Sequence, residues 1–405
     1  MTLPWNTLSD TDSFLADFSQ ELIAIRRRLH QLAELATTEY ETGAYLCQLL
    51  ERFGISFQYP VAETGIVAVI PGKGSRPVSR AAPCIALRAD MDALPIFEDP
   101  GRPGASLHPG VMHACGHDAH MAIALAAARY FKLHEADFCG CVKVFFQPAE
   151  ETIGGAKPMI EAGCMENPKV DYVLGLHVAP YLETGSIEMR YDNMYAASDE
   201  VHIALHGKSS HGAYPQDGVD AIVMAASLVS SLQTVVSRSI PPAEPCVLSF
   251  GLIRGGSAHN VLADTVELTG ALRTVTPDIR TNVKEQIARQ VQSVAAAYGG
   301  TGTCVFVPGY DALINTNELV DLLREVSVPL LGREHVLWKP APGMGVEDFS
   351  FFLQKAPGVF FHLGCGSREK GITAPLHSPG FAIDEDCLAV GTRILIALTN
   401  KLFSY

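Results

Sequence analysis

Four near-continuous apolar runs, each followed by residues that can bind a metal ion, constrain the fold of this 405-residue chain more than any other feature. They are Cys84–Ala89 before Asp90 and Asp92, Cys141–Phe146 before Glu150 and Glu151, Asp171–Leu176 ending at His177, and Val359–Leu363 before a glycine-containing loop that reaches His377. Helical periodicity separates the runs, as over Thr11–Gln31 and Ala119–Leu133. Strands that are apolar on both sides are typical of a sheet covered by helices on both faces, so the sequence predicts an α/β fold.

The middle of the chain has a different pattern. Its apolar periodicity predicts strand Val201–Leu205, helix Ala221–Ser237, strands Cys246–Ile253 and Thr265–Leu272, helix Asp278–Tyr298 and strand Thr303–Val307. The order β-α-β-β-α-β is that of a small ferredoxin-like domain. The length also favours two domains. We therefore expect an α/β domain with a mixed sheet, formed by residues 1–191 and 308–405, and an inserted α+β domain at residues 192–307.

The charge of the chain argues against a nucleic-acid or anionic-membrane partner, because the net charge is −14 and phosphates need clustered cations. The one basic run, Arg26–Arg28, is interpreted as a solvated helix face. Met1–Asn6 has neither the basic start nor the apolar stretch of a signal peptide, and the apolar run near Met121–Ala128 is too short to span a bilayer. We expect a cytoplasmic protein whose ten scattered cysteines are mostly buried thiols.

The candidate metal ligands are Cys115, His117, Glu151, His177 and His377. Carboxyl ends of neighbouring strands form the ligand crevice of open α/β sheets, and burying acids with histidines there is costly unless they bind a metal or pair. Thiolate, imidazole and carboxylate together suit zinc or manganese. Five ligands exceed one tetrahedral site and suit two ions that share a bridge.

Each candidate also has an ordinary structural interpretation. His177 alone could be a satisfied structural histidine, Cys115 a buried thiol, Asp92 the cap of a turn, and the pair Glu150–Glu151 an exposed helix start. Only the set points to a metal centre. The remaining histidines that we interpret as structural are His30, His108, His134, His335 and His362.

These residues also carry a resemblance that covers almost the whole chain. The matching stretches are Arg88–Pro95, Met112–His120, Phe146–Glu151, Gly175–His177, Ser209–His211, Gly255–Gly256 with Asn260–Val261, Met344–Gly345 with Glu347–Phe349, and Leu376–Phe381. The chain resembles the metal-dependent amidohydrolase family of hippurate hydrolases, indole-acetyl-amino-acid hydrolases and N-acyl-amino-acid aminoacylases, a branch of the aminoacylase and carboxypeptidase group.

The resemblance implies a role for each matching residue. Cys115, His117, Glu151, His177 and His377 match the family's ligands for two divalent ions (manganese or zinc, with nickel or cobalt possible), and Cys115 is better interpreted as a ligand, in the position of a bridge, than as a nucleophile. Glu150 matches the general base, and Asp92 an aspartate that orients a ligand side chain. His211 resembles the histidine that reaches the scissile carbonyl, and Asn260 and Arg273 resemble substrate contacts. His113 and His120 match the motif without a ligand role.

The family's inserted domain serves as a lid and as the surface of a homodimer, and its substrates imply hydrolysis of an N-acyl amino acid here. The same chemistry would serve a dipeptidase or carboxypeptidase, and that alternative stays open. Val346 and Ala263 depart from the family pattern and bear on substrate preference. Two further alternatives are a cysteine-nucleophile hydrolase using Cys115, which leaves Glu151, His177 and His377 without a role, and a non-catalytic binding protein.

Overall fold

The computed structural model describes residues 7–74 and 82–404, except the side chains of residues 7–9. Met1–Asn6, on which the expectation about a signal peptide depends, lies outside the described residues. The helices and strands in chain order are α1 Thr7–Gln31, α2 Tyr40–Arg52, β1 Ser56–Val61, β2 Gly65–Pro71, β3 Cys84–Asp90, α3 His117–Leu133, β4 Cys141–Gln147, α4 Ala156–Glu161, β5 Tyr172–Glu183, β6 Ile187–Met189, β7 Asp192–Tyr195, β8 Ala197–His206, α5 Ala221–Ser239, β9 Cys246–Gly255, β10 Thr265–Thr274, α6 Pro277–Ala297, β11 Thr301–Pro308, β12 Leu313–Asn315, α7 Asn317–Leu331, β13 Val336–Trp338, α8 Ser350–Leu353, β14 Gly358–Gly366 and α9 Asp386–Ser404.

The chain divides into two compact units, and the first consists of Met1–Asp192, Asn315–Pro340 and Asp348–Tyr405. Its sheet has eight strands in the order β1-β2-β4-β3-β5-β14-β6-β13. The central strands β4, β3, β5 and β14 are parallel to one another. By contrast, β1 and β2 pair antiparallel with their neighbours, and β6 pairs antiparallel with β14 but parallel with β13, so the sheet is mixed. The expectation of an α/β fold with a mixed sheet is confirmed.

Helices cover both faces of this sheet, which explains why its central strands are apolar on both sides. Successive side chains of a strand point to opposite faces. Phe146 of β4 therefore joins the core that α1, α3 and α9 share with the sheet. Its neighbour Phe145 points the other way and stacks on Phe352 of α8, with ring centroids 5.4 Å apart. All seven residues of β3 and of β4 are buried.

The second unit consists of Asn193–Ile314 and Ala341–Glu347. Its antiparallel sheet has four strands in the order β11-β8-β10-β9, with α5 after β8 and α6 after β10. Burial alternates along β10, as expected of a sheet with one covered face. Leu228 of α5 and Ile287 of α6 pack with Ile203 and Leu268 of the sheet in one core.

The boundaries of the second unit differ from residues 192–307. Residues 308–314 remain with it because Gly309 N donates to Ser198 O at 2.9 Å and Ser198 N donates to Tyr310 O at 2.9 Å. Ala341–Glu347 returns to it from much later in the chain, and Gly343 N donates to Met194 O at 2.9 Å. Apolar periodicity could not reveal this return, since the segment forms neither a helix nor a strand.

Two local expectations are wrong. The strand expected over Asp171–Leu176 continues as β5 to Glu183, so His177 lies within the strand rather than at its end. The basic run is not wholly solvated, because Arg26 is buried with its Nε 3.0 Å from Asp118 Oδ2, whereas Arg27 is exposed. When a helix has one buried face, one of three successive arginines lies on that face. The negative charge of Asp118 offsets the cost of burying the guanidinium of Arg26.

Within the described part of the chain, two helices, Ala221–Ser239 and Asp386–Ser404, are long and apolar enough to cross a membrane by length and composition alone. Core helices pass the same test. Here α9 contributes Ile394 and Leu398 to the core of the first unit, and α5 contributes Leu228 and Leu232 to the core of the second. This packing accounts for their apolar composition.

All ten cysteines are free, and six of them are buried.

Candidate metal centre

The segment Cys115–Gly116–His117 forms a tight turn at the start of α3, where it approaches β5. Gly116 has φ +85°, a left-handed conformation that favours glycine. A Cβ atom at this position would lie 2.4 Å from Cγ2 of Val178. The glycine therefore lets the turn pass close to β5 and lets the two flanking residues face the same point.

Backbone carbonyl groups orient two of the candidate histidines. Nδ1 of His117 donates to Asp92 O at 2.8 Å, and Nδ1 of His177 donates to Val178 O at 2.8 Å. In a neutral imidazole this places the lone pair on Nε2, the atom that binds a metal. Nε2 of His177 lies 3.3 Å from Sγ of Cys115. Both rings are thus held in the tautomer of a ligand.

The five candidate ligands converge, although they come from distant parts of the chain. His377 Nε2 lies 3.3 Å from Cys115 Sγ and 3.2 Å from Glu151 Oε1, and His117 Nε2 lies 3.9 Å from Glu151 Oε1. Two groups of donor atoms result, Cys115 with His117 and His177, and Cys115 with Glu151 and His377, each within 4.8 Å. Cys115 is common to both groups.

The donor set fits divalent cations. Among the described residues, His117 Nε2 and Glu151 Oε1 are buried atoms that make no hydrogen bond of good geometry, although Glu151 Oε1 lies 3.2 Å from His377 Nε2. Burial lowers the pKa of His117, but Asp90, Asp92 and Glu151 raise it to about 10. Burial raises the pKa of Glu151, but His377 and His117 lower it to about 2. A bound cation would give these two atoms a partner, and it would be stabilised by the negative charge of the buried carboxylates around it.

The thiol of Cys115 is poorly suited to act as a nucleophile. Burial and the neighbouring carboxylates of Glu151 and Glu150 hold its pKa well above the usual range. Catalytic cysteines need an electropositive environment that favours the thiolate. A bound cation would deprotonate the same thiol, because metal coordination favours the thiolate.

Asp92 organises the site through its backbone and its side chain. Its carboxylate accepts hydrogen bonds from Glu150 N at 3.0 Å and Glu151 N at 2.9 Å, while its carbonyl oxygen orients His117. The residue before the glutamates, Ala149, has φ +57° and donates its N–H to Glu39 Oε1 at 3.0 Å. Glu39, which no sequence motif singles out, helps to hold this strained turn.

His120 faces the same region but has no nitrogen available for a metal. Val178 N donates to its Nε2 at 2.9 Å, so the imidazole must carry its proton on Nδ1, which lies 2.6 Å from Asp90 Oδ1. Burial lowers the pKa of His120 to about 4, consistent with a neutral ring. His113 is also buried, and burial lowers its pKa to about 3. Asp90, His117 and His120 lie close enough together to form a candidate metal group, but both nitrogens of His120 are already bonded.

A buried guanidinium ties together the strand ends that carry the site. Arg88 donates from Nε to Gln147 Oε1 at 2.8 Å, from Nη1 to Asp90 Oδ2 at 2.7 Å and from Nη2 to Asp348 Oδ1 at 2.8 Å. Asp348 in turn accepts from Gln147 Nε2 at 2.7 Å and from Ala156 N at 3.0 Å. The network connects the ends of β3 and β4 with α4 and the segment before α8.

The three expected substrate-side residues lie in the second unit. His211 pairs with Val261 in an isolated β-bridge, and Gly212 N donates to Asn260 O at 2.7 Å, so His211 and Asn260 come from neighbouring segments. Arg273 lies on β10, where partial burial lowers its pKa. Backbone pairing therefore brings two of the three together within this unit.

Comparisons with known proteins identify the family. The sequence pattern that defines peptidase family M20/M25/M40 matches residues 86–401 of this chain. The chain is 36% identical to the N-acetyl-L-cysteine deacetylase of Bacillus subtilis, covering 96% of this chain and 89% of that protein. It is 37% identical to IAA-amino acid hydrolase ILR1-like 4 of Arabidopsis thaliana, covering 95% and 86%. It is 36% identical to thermostable carboxypeptidase 1 of Saccharolobus solfataricus, covering 94% and 95%.

A solved structure agrees with this assignment. The YXEP protein of Bacillus subtilis, described as a dinuclear metal-binding peptidase of the M20 family, has a TM-score of 0.83 and 31% identity, covering 96% of this chain and 99% of that one. The α/β unit carries a donor set of Cys, His and Glu side chains, and its relatives are amide hydrolases. Together these define a metal-dependent amidohydrolase. The chain belongs to peptidase family M20/M25/M40.

Replacing Arg88 by methionine tests the network. The substitution keeps much of the volume but leaves Asp90 and Asp348 buried without their cation, so we expect a loss of about 3–5 kcal/mol in the free energy of unfolding. Urea denaturation of the metal-free protein, followed by circular dichroism, measures it. Arg238→Met, at an exposed position of α5, is the matched control. A loss of only about 0.5 kcal/mol, typical of a surface substitution, would contradict the structural role of Arg88.

Proposed function

We propose that this protein hydrolyses the amide bond of N-acyl amino acids and releases a carboxylic acid and a free amino acid. The observation that carries the proposal is the pair of overlapping donor groups that share Cys115, with the carboxylate of Glu150 beside His117 and Glu151. A paired metal site beside a carboxylate is the arrangement that metal-assisted amide hydrolysis needs.

Two divalent ions are the implied cofactors, with manganese or zinc favoured and nickel or cobalt possible. Cys115, His117 and His177 would hold one ion, and Cys115, Glu151 and His377 the other. When bound, the ions would lower the pKa of a water molecule toward neutrality and polarise the amide carbonyl. The geometry of the chain favours Cys115 as the shared ligand, because its sulfur faces His177 and His377 at the same distance of 3.3 Å.

Glu150 is the proposed general base. One oxygen of each of the two carboxylates and a nitrogen of His117 lie within 4.8 Å of one another, so Glu151 can serve as ligand while Glu150 beside it moves protons. The bonds from Glu150 N and Glu151 N to Asp92 fix the backbone from which both side chains extend. Glu150 would take a proton as water attacks the carbonyl carbon and deliver it to the amine nitrogen as the C–N bond breaks.

The second unit supplies the proposed substrate contacts. We assign it the role of a ferredoxin-like lid, in which His211 would donate a hydrogen bond to the developing oxyanion, and Asn260 and Arg273 would bind the substrate carboxylate. We also propose a cytoplasmic homodimer that associates through this unit, without a nucleic-acid or membrane partner.

The choice of N-acyl amino acids over peptides rests on similarity. The relatives include a deacetylase and an IAA-amino acid hydrolase, but also a thermostable carboxypeptidase at comparable identity. A dipeptidase or carboxypeptidase activity is therefore the second candidate. The chemistry at the scissile bond would be the same, and only the pocket would differ.

Glu150→Gln tests the assignment of the base. The amide keeps the shape of the side chain but cannot accept the proton, so we expect kcat to fall by about 10²–10⁴-fold. Both metal ions should remain bound, since Glu150 is not a proposed ligand; elemental analysis of the purified variant measures this. Glu161→Gln, at an exposed position of α4, is the control. A variant that turns over at the wild-type rate would show that Glu150 is not the base.

A substrate panel tests the reaction. Protein stripped with a chelator should be inactive on N-acetyl, N-benzoyl and indole-acetyl amino acids, and manganese, zinc, cobalt or nickel should restore release of free amino acid. A matched set of dipeptides separates the two candidate functions. Hydrolysis that survives the chelator would favour thiol catalysis, and release from dipeptides alone would favour the peptidase.

A further inference from the structure

Three neighbouring strands of the first unit place a metal ligand, a histidine and a glutamate in one row. His177 of β5 is the register partner of His362 of β14, in a parallel pair. His362 is in turn the partner of Glu188 of β6, in an antiparallel pair. Registered partners point to the same face of a sheet, and neighbouring strands lie about 4.8 Å apart. The row therefore extends sideways from His177 across the sheet.

Glu188 is the anchor of this row. Its Oε2 accepts hydrogen bonds from Tyr181 Oη at 2.8 Å and His362 Nδ1 at 3.0 Å, and Lys339 Nζ lies 3.3 Å away. Burial raises the pKa of Glu188, but the bonds from His362 and Tyr181 and the charge of Lys339 lower it to about 2. The carboxylate is therefore ionised, and three donors from three different segments fix its position.

His362 of β14 lies between Glu188 of β6 and the neighbouring strand β5. Its ring is buried, and its Nδ1 lies between Glu188 and the Tyr181 hydroxyl, which is 2.6 Å away. Tyr181 donates its own proton to Glu188, so its oxygen can share the Nδ1 proton of His362 with Glu188 Oε2. A ring bonded on this side has a fixed orientation, and its residue is the register partner of His177 on the neighbouring strand.

We propose that Glu188, acting through His362, is a positioning residue for the metal ligand His177. The inference rests on the proposed function, since it presumes that the two donor groups each bind an ion. The backbone bond from Nδ1 of His177 to Val178 O sets the tautomer, and the row sets the lateral position of the ring. Outer partners of this kind contribute about 10–100-fold to metal affinity.

The proposal has a specific consequence for the two ions. His177 belongs to the donor group of Cys115 and His117, and it is not part of the group of Cys115, Glu151 and His377. Loss of the row should therefore weaken the binding of one ion and leave the binding of the other unchanged. If the row only stabilised the sheet, its loss would instead lower the stability of the metal-free protein and weaken the binding of both ions together.

The experiment measures both metal-dissociation constants by competition with a chromophoric chelator, using manganese or zinc added to the metal-stripped full chain. In Glu188→Gln we expect one ion to bind about 10-fold more weakly and the other to bind as in the wild type. His362→Gln should do the same. The melting temperature of each metal-free variant is measured alongside.

Glu183→Gln is the matched control, because Glu183 lies on β5 in an exposed position and pairs with Arg368. It should leave both dissociation constants unchanged. If the wild type binds two ions, and Glu188→Gln and His362→Gln bind both ions as tightly as the wild type does, the positioning role is overturned while the proposed function stands. Equal weakening of both ions with a lowered melting temperature also overturns it. A wild type that binds fewer than two ions overturns the proposed function and this inference together.

Discussion

The guanidinium of Arg88 is the interaction on which the first unit's site depends. An arginine buried between two parallel strands is tolerated only if its charge and its donors are satisfied, and here Asp90, Gln147 and Asp348 satisfy them. The same bonds fix the end of β3 against the end of β4. Asp92 follows the first of these ends and the pair of glutamates follows the second, so the network determines where the carboxylates can be.

From that network a second series of contacts reaches the imidazoles. Asp90 holds His120, whose Nε2 receives the N–H of Val178 in β5. Val178 O orients His177, the candidate ligand on the same strand. A continuous set of charge-assisted and backbone hydrogen bonds thus runs from Asp348 to a candidate metal ligand. Because each member of such a network loses its partner when another is removed, the site should respond to a distant substitution as a unit.

The sequence predicted the long apolar elements well, because the two-sided burial of central strands such as β3 and β4 appears directly as an apolar run. It missed β1, β6, β7, β12 and β13. Three of these, β6, β12 and β13, have three residues each, too short for a periodicity, and β1 is a half-exposed edge strand that contains Pro60. The missing strand β6 matters, because it carries Glu188. The partners of Arg88 also escaped prediction, since Asp348 lies 260 residues away along the chain.

The five candidate ligands could be proposed from residue type and position. Which histidine has a nitrogen available for a metal follows from where its other nitrogen is bonded. His117 and His177 each give Nδ1 to a backbone carbonyl and keep Nε2 for a cation. His120 accepts at Nε2 and donates at Nδ1, so no lone pair remains. Motif spacing cannot separate these cases, because His117 and His120 share one helix and one buried face. The hydrogen bonds of the surrounding backbone separate them.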